Sequence, residues 1–320
     1  MVRMFAYGFL AVALALYLAQ VGLSAPQIGW LISFTLAGDA AISLWITTNA
    51  DRIGRRRMLI AGALLMLLAG VVFVLTDNYV LLVAAAIIGV ISPSGSEVGP
   101  FLAIEQAALT QLIPSGKRTS TFAWYNLLGS FATATGALAS GGLIQLLDNL
   151  GLPALISYRS TVIGYALLGG LLALMFAGVS PNVEARQTVA PMGSRFGLSK
   201  SRGIVLWLSA LFALDAFGGA LVLQSFMAYW FKTKFGLEPA TLGAIFFVAN
   251  ILAGISALSA SWLAARIGLI NTMVFTHVPS NILLMLVPLM PTLPLAIAVL
   301  LLRFSISQMD VPTRDRKSVV

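Results

Sequence analysis

The 320 residues include no cysteine and a single histidine. Disulfides and thiolate-bound metals are thereby excluded, and a histidine-based metal centre has too few ligands to form. Charge is almost as scarce: 9% of residues are Asp, Glu, Lys or Arg, against about 25% in a soluble domain. A chain with so little charge does not cover itself with polar surface in water, which excludes a soluble enzyme, a nucleic-acid-binding module and a disordered linker. There is no nucleophile–base set, phosphate-cradling glycine loop or metal cluster, so neither catalysis nor a cofactor is expected. Acidic residues are the rarer charge, 11 against 19 basic ones. The surplus of +8 suits the cytoplasmic loops of a membrane protein and gives no reason to invoke nucleic acid. What is abundant is hydrocarbon: 59% of residues are hydrophobic and the mean hydropathy is +0.96. Lipid forces backbone polar groups into helices or closed barrels. Barrel strands alternate polar and apolar residues, whereas this chain has continuous apolar runs. The fold class is therefore all-α and integral to a membrane.

A span needs about 20 apolar residues, and ten runs approach or exceed that length. They cover residues 4–21, 27–47, 58–75, 79–109, 121–147, 160–179, 204–230, 241–264 and 271–287, with a tenth starting near Leu295. The first run has no small-residue cleavage site near its end and reads as a retained span. Placing the N-terminus inside puts twelve basic residues in cytoplasmic segments: Arg3; Arg52, Arg55, Arg56 and Arg57; Lys117 and Arg118; Arg186, Arg195, Lys200 and Arg202; and Arg266. Only Arg159, Lys232 and Lys234, three in all, fall on the other side. The excess of Lys and Arg thus fixes a cytoplasmic N-terminus, and a prokaryotic plasma membrane is expected. Residues 181–203 differ from their surroundings: they are polar, contain Pro181 and Pro191, and carry four basic residues. They read as a cytoplasmic linker between a six-helix bundle over residues 1–180 and a second, partial bundle over residues 204–314.

The two sides of that linker match at a fixed offset of 214 residues: Gly22, Leu23 and Gly29 fall on Gly236, Leu237 and Gly243, and Ala50, Arg52, Ile53 and Gly54 on Ala264, Arg266, Ile267 and Gly268. Duplicated bundles with sites at the midplane between them are a transporter plan. The stretch Asn49-Ala50-Asp51-Arg52-Ile53-Gly54-Arg55-Arg56-Arg57 resembles the signature loop of the major facilitator superfamily and sits, as there, between the second and third spans. The chain departs from the family pattern at Thr47, where a glycine is usual. Gly89 stands near the fourth-span arginine of proton-coupled members, and the fifth run has no glycine-proline motif, although Gly129, Gly136, Gly141 and Gly142 give it a small-residue face. The resemblance implies twelve spans, alternating access, and a central cavity lined by the first, fourth, seventh and tenth. It also implies a cytoplasmic gate at Asp51, Arg52, Gly54, Arg55 and Arg56, with Arg266 and Gly268 as the repeat counterpart. Asp51 is expected to meet a helix N-terminus in the other bundle, and the arginines to hold anionic lipid headgroups or carboxylates.

A charge at the centre of a span costs about 2.5–3.5 kcal/mol on insertion scales, so charged residues there are functional candidates. They are Asp39 in the second run, Glu97 and Glu105 in the fourth, Asp215 in the seventh, and Arg303 and Asp310 in the tenth. At about 1.5 Å per residue, Asp215 and Arg303 lie at similar depth, roughly 16 and 18 Å from the cytoplasmic side of a 30 Å core, and an Asp215–Arg303 pair is expected. The fourth run is interrupted by Pro93, Gly95, Gly99 and Pro100, which should kink or unwind it. Irregular backbone at that depth needs a protein or watery surround. Glu97 lies in the break and Asp310 near the matching position of the tenth run, so both are expected to bind substrate or protons. Glu105 is nearer the cytoplasm.

The expected activity is secondary transport of a small organic solute by alternating access, proton-coupled and in the export direction, by a monomer. Uptake or uniport is the alternative, and a non-transporting membrane sensor or scaffold the alternative class. Residues 315–320, Asp-Arg-Lys-Ser-Val-Val, read like a translated sequencing adapter, so a non-native tail on a longer natural chain is expected.

Overall fold

Local chemistry sets where the helices begin and turn. Ser24, in extended backbone, precedes a helix over Ala25–Ile53, and its N–H donates to Gln27 Oε1 at 2.9 Å, the reciprocal half of a capping box. Asn78 starts the helix over Tyr79–Ile88, its side chain accepting from the N–H groups of Val80 at 3.0 Å and Leu81 at 3.3 Å. Between Ala25–Ile53 and Arg55–Leu75 stands one residue, Gly54, at φ 115°, backbone that costs glycine little and a side chain much.

The computed structural model describes residues 1–95, 101–114, 118–180, 183–184, 203, 207, 210–211, 213–214, 218–219 and 222–309. Its helices are α1 (Val2–Gln20), α2 (Ala25–Ile53), α3 (Arg55–Leu75), α4 (Tyr79–Ile88), α5 (Phe101–Leu112), α6 (Arg118–Asn149), α7 (Ala154–Ala177), α8 (Gln224–Phe235), α9 (Pro239–Ile267), α10 (Leu269–Leu286) and α11 (Leu293–Ile306). Among the described residues seven helices are long and apolar enough to cross a membrane, and α4 and α11 are shorter apolar helices.

The repeat seen in the sequence governs the helix boundaries. α2 and α9 are displaced by 214 residues at both ends (239 − 25 and 267 − 53). The joint after each is a glycine, Gly54 at φ 115° and Gly268 at φ 86°. α4 and α11 start at Tyr79 and Leu293, the same distance apart.

α1 is the hub of the molecule. It packs on α6, α7 and α8, and every side chain from residue 6 to 18 is buried. By contrast, Trp30, Leu44 and Trp45 of α2 are exposed, on the side where lipid would lie. The two repeat halves, α1–α7 and α8–α11, meet mainly through α6 and α9. A methyl group on Gly141 would lie 2.3 Å from the Pro239 carbonyl oxygen, and one on Gly254 2.8 Å from Ser130 Cβ. The small-residue face of the fifth run therefore lets backbones touch. The Gly141 approach lies toward the Asn149 end, and the Gly254–Ser130 approach at the middle of the helices.

The fourth run is interrupted as expected: α4 stops at Ile88, residues 89–95 are non-helical, and α5 begins at Phe101. The seventh differs from expectation. Residues 222 and 223 are non-helical, and helix α8 starts at Gln224 and continues to Phe235. The Gly218-Gly219 pair precedes the break, with the Val222 N–H on the Gly219 carbonyl at 3.2 Å, and the contacts of Ser225 described next hold the new helix start in place.

Candidate functional site

Polar groups from three elements converge where the interrupted fourth and seventh runs meet. α8 begins without a side-chain cap. The Ser225 N–H instead donates to the Pro93 carbonyl at 3.1 Å. The Ser225 hydroxyl lies 2.7 Å from the same carbonyl oxygen and 2.7 Å from that of Ala11 in α1. Beside it Gln224 is 3% exposed. Its Oε1 accepts from Asn250 Nδ2 of α9 at 3.4 Å, and Asn250 in turn donates to the Phe246 carbonyl at 2.8 Å. The Nε2 of Gln224 has no hydrogen-bond partner among the described residues. A buried donor left unsatisfied costs about 1–3 kcal/mol, so an amide kept in that condition between two halves is suited to receiving an acceptor oxygen from outside the chain. Gly95, at φ 68°, keeps the space open: a methyl group there would lie 3.1 Å from Gln224 Oε1. The Ser92 and Ser94 hydroxyls, 3.4 Å apart, complete the set.

The sequence marks this junction through Pro93 and Gly95 alone. Gln224, Ser225 and Asn250 give no signal there, because uncharged polar residues scattered in apolar runs carry little insertion cost.

Two of the expected intramembrane charges are placed inside the first half. Asp39 is 3% exposed in α2, close enough to Tyr7 and Tyr165 for its charge to act on both phenols. Glu105 in α5 accepts from Arg3 Nη2 at 2.7 Å and from the Tyr125 hydroxyl. Arg3 also donates to the Tyr125 oxygen at 3.0 Å and lies 5.0 Å over the Phe101 ring. The cluster ties α1, α5 and α6 together near the arginine end. Arg303 of α11 is half-buried, its guanidinium 4.7 Å over the Phe304 ring. Glu97, Gly99, Pro100, Asp215 and Asp310 lie outside the described residues, and with them the expected Asp215–Arg303 pair and the Glu97–Asp310 match.

The arginine loop is held within its own half. Arg55 Nε donates to Asp51 Oδ1 at 2.8 Å, four residues back across the Gly54 joint. The N-terminus of α3 is taken by Glu184, whose carboxylate accepts from the N–H of Arg55 at 2.7 Å and of Arg56 at 3.3 Å. An anion is stabilised there by the unpaired amides and the helix dipole. Gln111 of α5 joins the set, accepting from Arg55 Nη1 at 3.0 Å and donating to the Glu184 carbonyl at 3.1 Å. Arg56 donates to the Ala177 carbonyl at the end of α7. Arg52 and Arg57 point outward and are exposed. At the repeat counterpart, Gly268 has open space around it among the described residues, and Arg266 is exposed with its guanidinium 4.0 Å over the Trp262 ring. Glu184 and Gln111 have no motif of their own, so only the structure reveals them.

Known proteins resemble this chain in sequence and fold. The chain is 31% identical to the uncharacterized membrane protein YJR124C of Saccharomyces cerevisiae, covering 98% of this chain and 77% of that one. It is 24% identical to a D-xylose transporter of Levilactobacillus brevis over 53% of this chain and 34% of that one. With relatives in a yeast and a bacterium, descent alone does not assign a prokaryotic membrane. Among solved structures, the xylose transporter XylE of E. coli in a partially occluded inward-open conformation superposes with a TM-score of 0.65 at 15% identity, covering 99% of this chain and 84% of that one. An inward-facing, occupied bacterial homolog of the human lysosomal transporter Spinster gives 0.65 at 16% identity, covering 98% and 70%. These two likenesses establish the fold. The family model of the Major Facilitator Superfamily matches residues 1–310: the chain is an integral membrane transporter of that family, not an enzyme.

Proposed function

We propose that the protein moves a small organic solute bearing hydroxyl or carbonyl oxygens by alternating access, with the cargo held at the junction of the two halves. The observation that carries this reading is the buried Gln224 amide, whose Oε1 is engaged by Asn250 while its Nε2 has no partner among the described residues. The name of the bacterial relative, a D-xylose transporter, supports a hydroxylated cargo. Coupling to protons rests on the buried carboxylate Asp39, with Glu105 as a second acid in the same half. Export is the direction expected from the sequence, with residues 1–180 and 204–314 as the moving bundles of a monomer. Exposed Arg52 and Arg57 are assigned to anionic lipid headgroups beside the gate.

The test is proton movement in liposomes carrying a pH dye, with D-xylose first in a panel of hydroxylated solutes. Solute-dependent proton flux should fall at least tenfold in Gln224→Leu. Asp39→Asn should lose the proton flux and retain solute exchange. Opposite movement of proton and solute reads as export, parallel movement as uptake. Solute transport that survives Gln224→Leu would remove the junction from the cargo site. Absence of transport, together with a Gln224→Cys that no aqueous reagent reaches, would favour a scaffold.

A further inference from the structure

Ser225 sits where two repeat-related positions touch. Its hydroxyl reaches the carbonyl oxygen of Ala11 at 2.7 Å, and the two residues are 214 positions apart, the offset of the repeat itself. Positions related by a two-fold touch each other only at the axis, so this contact marks where the pseudo-symmetry axis passes through the protein. Ser225 also engages Pro93, through its hydroxyl at 2.7 Å and its N–H at 3.1 Å. Ser225 and Ala11 are both 0% exposed, so water does not compete for these bonds.

We propose that Ser225 is a clasp between the halves, which holds the protein closed on the Asn149 side and sets how often that side opens. Bonds inside one half survive a rigid rotation of the halves, whereas those from α8 to α1 and to the residues after α4 must break or shift. The other close approaches between the halves, at Gly141 with Pro239 and Gly254 with Ser130, are van der Waals contacts that separate without leaving a polar group unpaired. Among the described residues, directional resistance is therefore concentrated at Ser225. The clasp is single, because the repeat mate of Ser225 is Ala11, which has no hydroxyl to return the bond.

The hydroxyl is removable without harm to its surroundings. The Ala11 carbonyl faces its own α-helix, and the Pro93 carbonyl keeps the Ser225 N–H. Ser225→Ala therefore deletes one net hydrogen bond and orphans nothing. The chain has no cysteine, so spin labels attach only where they are placed. Leu150→Cys and Leu289→Cys, at exposed positions of the first and second halves, report the separation of the halves at the Asn149 side by pulsed dipolar spectroscopy in nanodiscs. Ser225→Ala should raise the ratio of wide to narrow separations about two- to tenfold, one net hydrogen bond expressed as a population. Ser225→Thr, which keeps a hydroxyl, should match the parent. Thr35→Ala deletes a buried hydroxyl bonded only within α2, to the Leu31 carbonyl at 2.8 Å, and should leave the ratio unchanged. Should Ser225→Ala not fold, Ser225→Gly removes the same hydroxyl with no added bulk. The proposal is overturned if the hydroxyl-free variant gives the parent distribution, or if Thr35→Ala widens it equally.

Discussion

At the scale of single residues, the Arg3–Glu105–Tyr125 cluster and the Arg159–Asp77 pair share one chemistry and differ in surroundings. The side chains of Arg3 and Glu105 are 4% and 20% exposed; those of Arg159 and Asp77 are 27% and 57% exposed. Both ion pairs close at 2.7 Å. Removing one partner of a buried pair strands the other charge and costs about 3–5 kcal/mol, while an exposed pair is worth about 0–1 kcal/mol. Glu105→Gln should therefore lower the melting temperature clearly, and Asp77→Asn should barely move it. Thermal unfolding of both variants in one detergent checks this, and equal shifts would mean that water reaches Arg3 after all. In sequence Arg3 reads only as a topology marker, because its partner lies 102 residues away and nothing local announces the pairing. Glu105 was visible as an acid inside an apolar run, but its role as a tie between α1, α5 and α6 was not.

At the scale of helices, the crossing of α6 and α9 divides two adjacent glycines. A methyl group on Gly141 would meet the Pro239 carbonyl at 2.3 Å, whereas Gly142 has nothing within 4 Å. Gly141→Ala forces two backbones apart and should cost about 1–3 kcal/mol, the range for overpacking. Gly142→Ala meets open space and should stabilise α6 by up to about 1 kcal/mol through helix propensity. Melting curves of the pair decide it: a loss confined to Gly141 supports the crossing, and equal behaviour contradicts it. The same helices show what periodicity and composition reveal. Long apolar runs specify α2, α3, α7 and α9, and Pro93 and Gly95 announce the interruption after α4, since their backbone preferences oppose a helix in any context. The second interruption, at residues 222 and 223, follows the Gly218-Gly219 pair, whose low helix propensity is the only local signal of it. The contact of Ser225 with Pro93, which fixes where the helix resumes, joins the two halves and leaves no local pattern. Glu184 is hidden for the same reason: its partner Arg55 is 129 residues away.

At the scale of the whole molecule, the duplication is plainest in the backbone. Gly54 and Gly268 stand at equivalent joints, yet the first is packed against Glu184 and the second is open. The arginine loop of the first half is held by Asp51, Gln111 and Glu184. This loop also fixes how the molecule should sit in its membrane. Arg52, Arg55, Arg56, Arg57 and Arg266 gather at one end of the spans, and the Asn149 end carries only Arg159, Lys232 and Lys234 among basic residues. Lys234 there donates to the Pro288 and Met290 carbonyls at 3.0 and 3.2 Å, and Arg159 is paired with Asp77; the positive-inside rule counts Lys and Arg, and few fall at that end. The rule leads us to expect the arginine end in the cytoplasm. Because the chain lacks cysteine, one introduced thiol reports one side. Leu150→Cys, on an exposed position after α6, should react with a membrane-impermeant maleimide added to intact cells. Ile267→Cys, exposed at the end of α9, should react only after permeabilisation. The reverse pattern would place the locked arginine loop outside, and with it any gate built on Asp51 and Arg55 would act on the opposite face of the membrane.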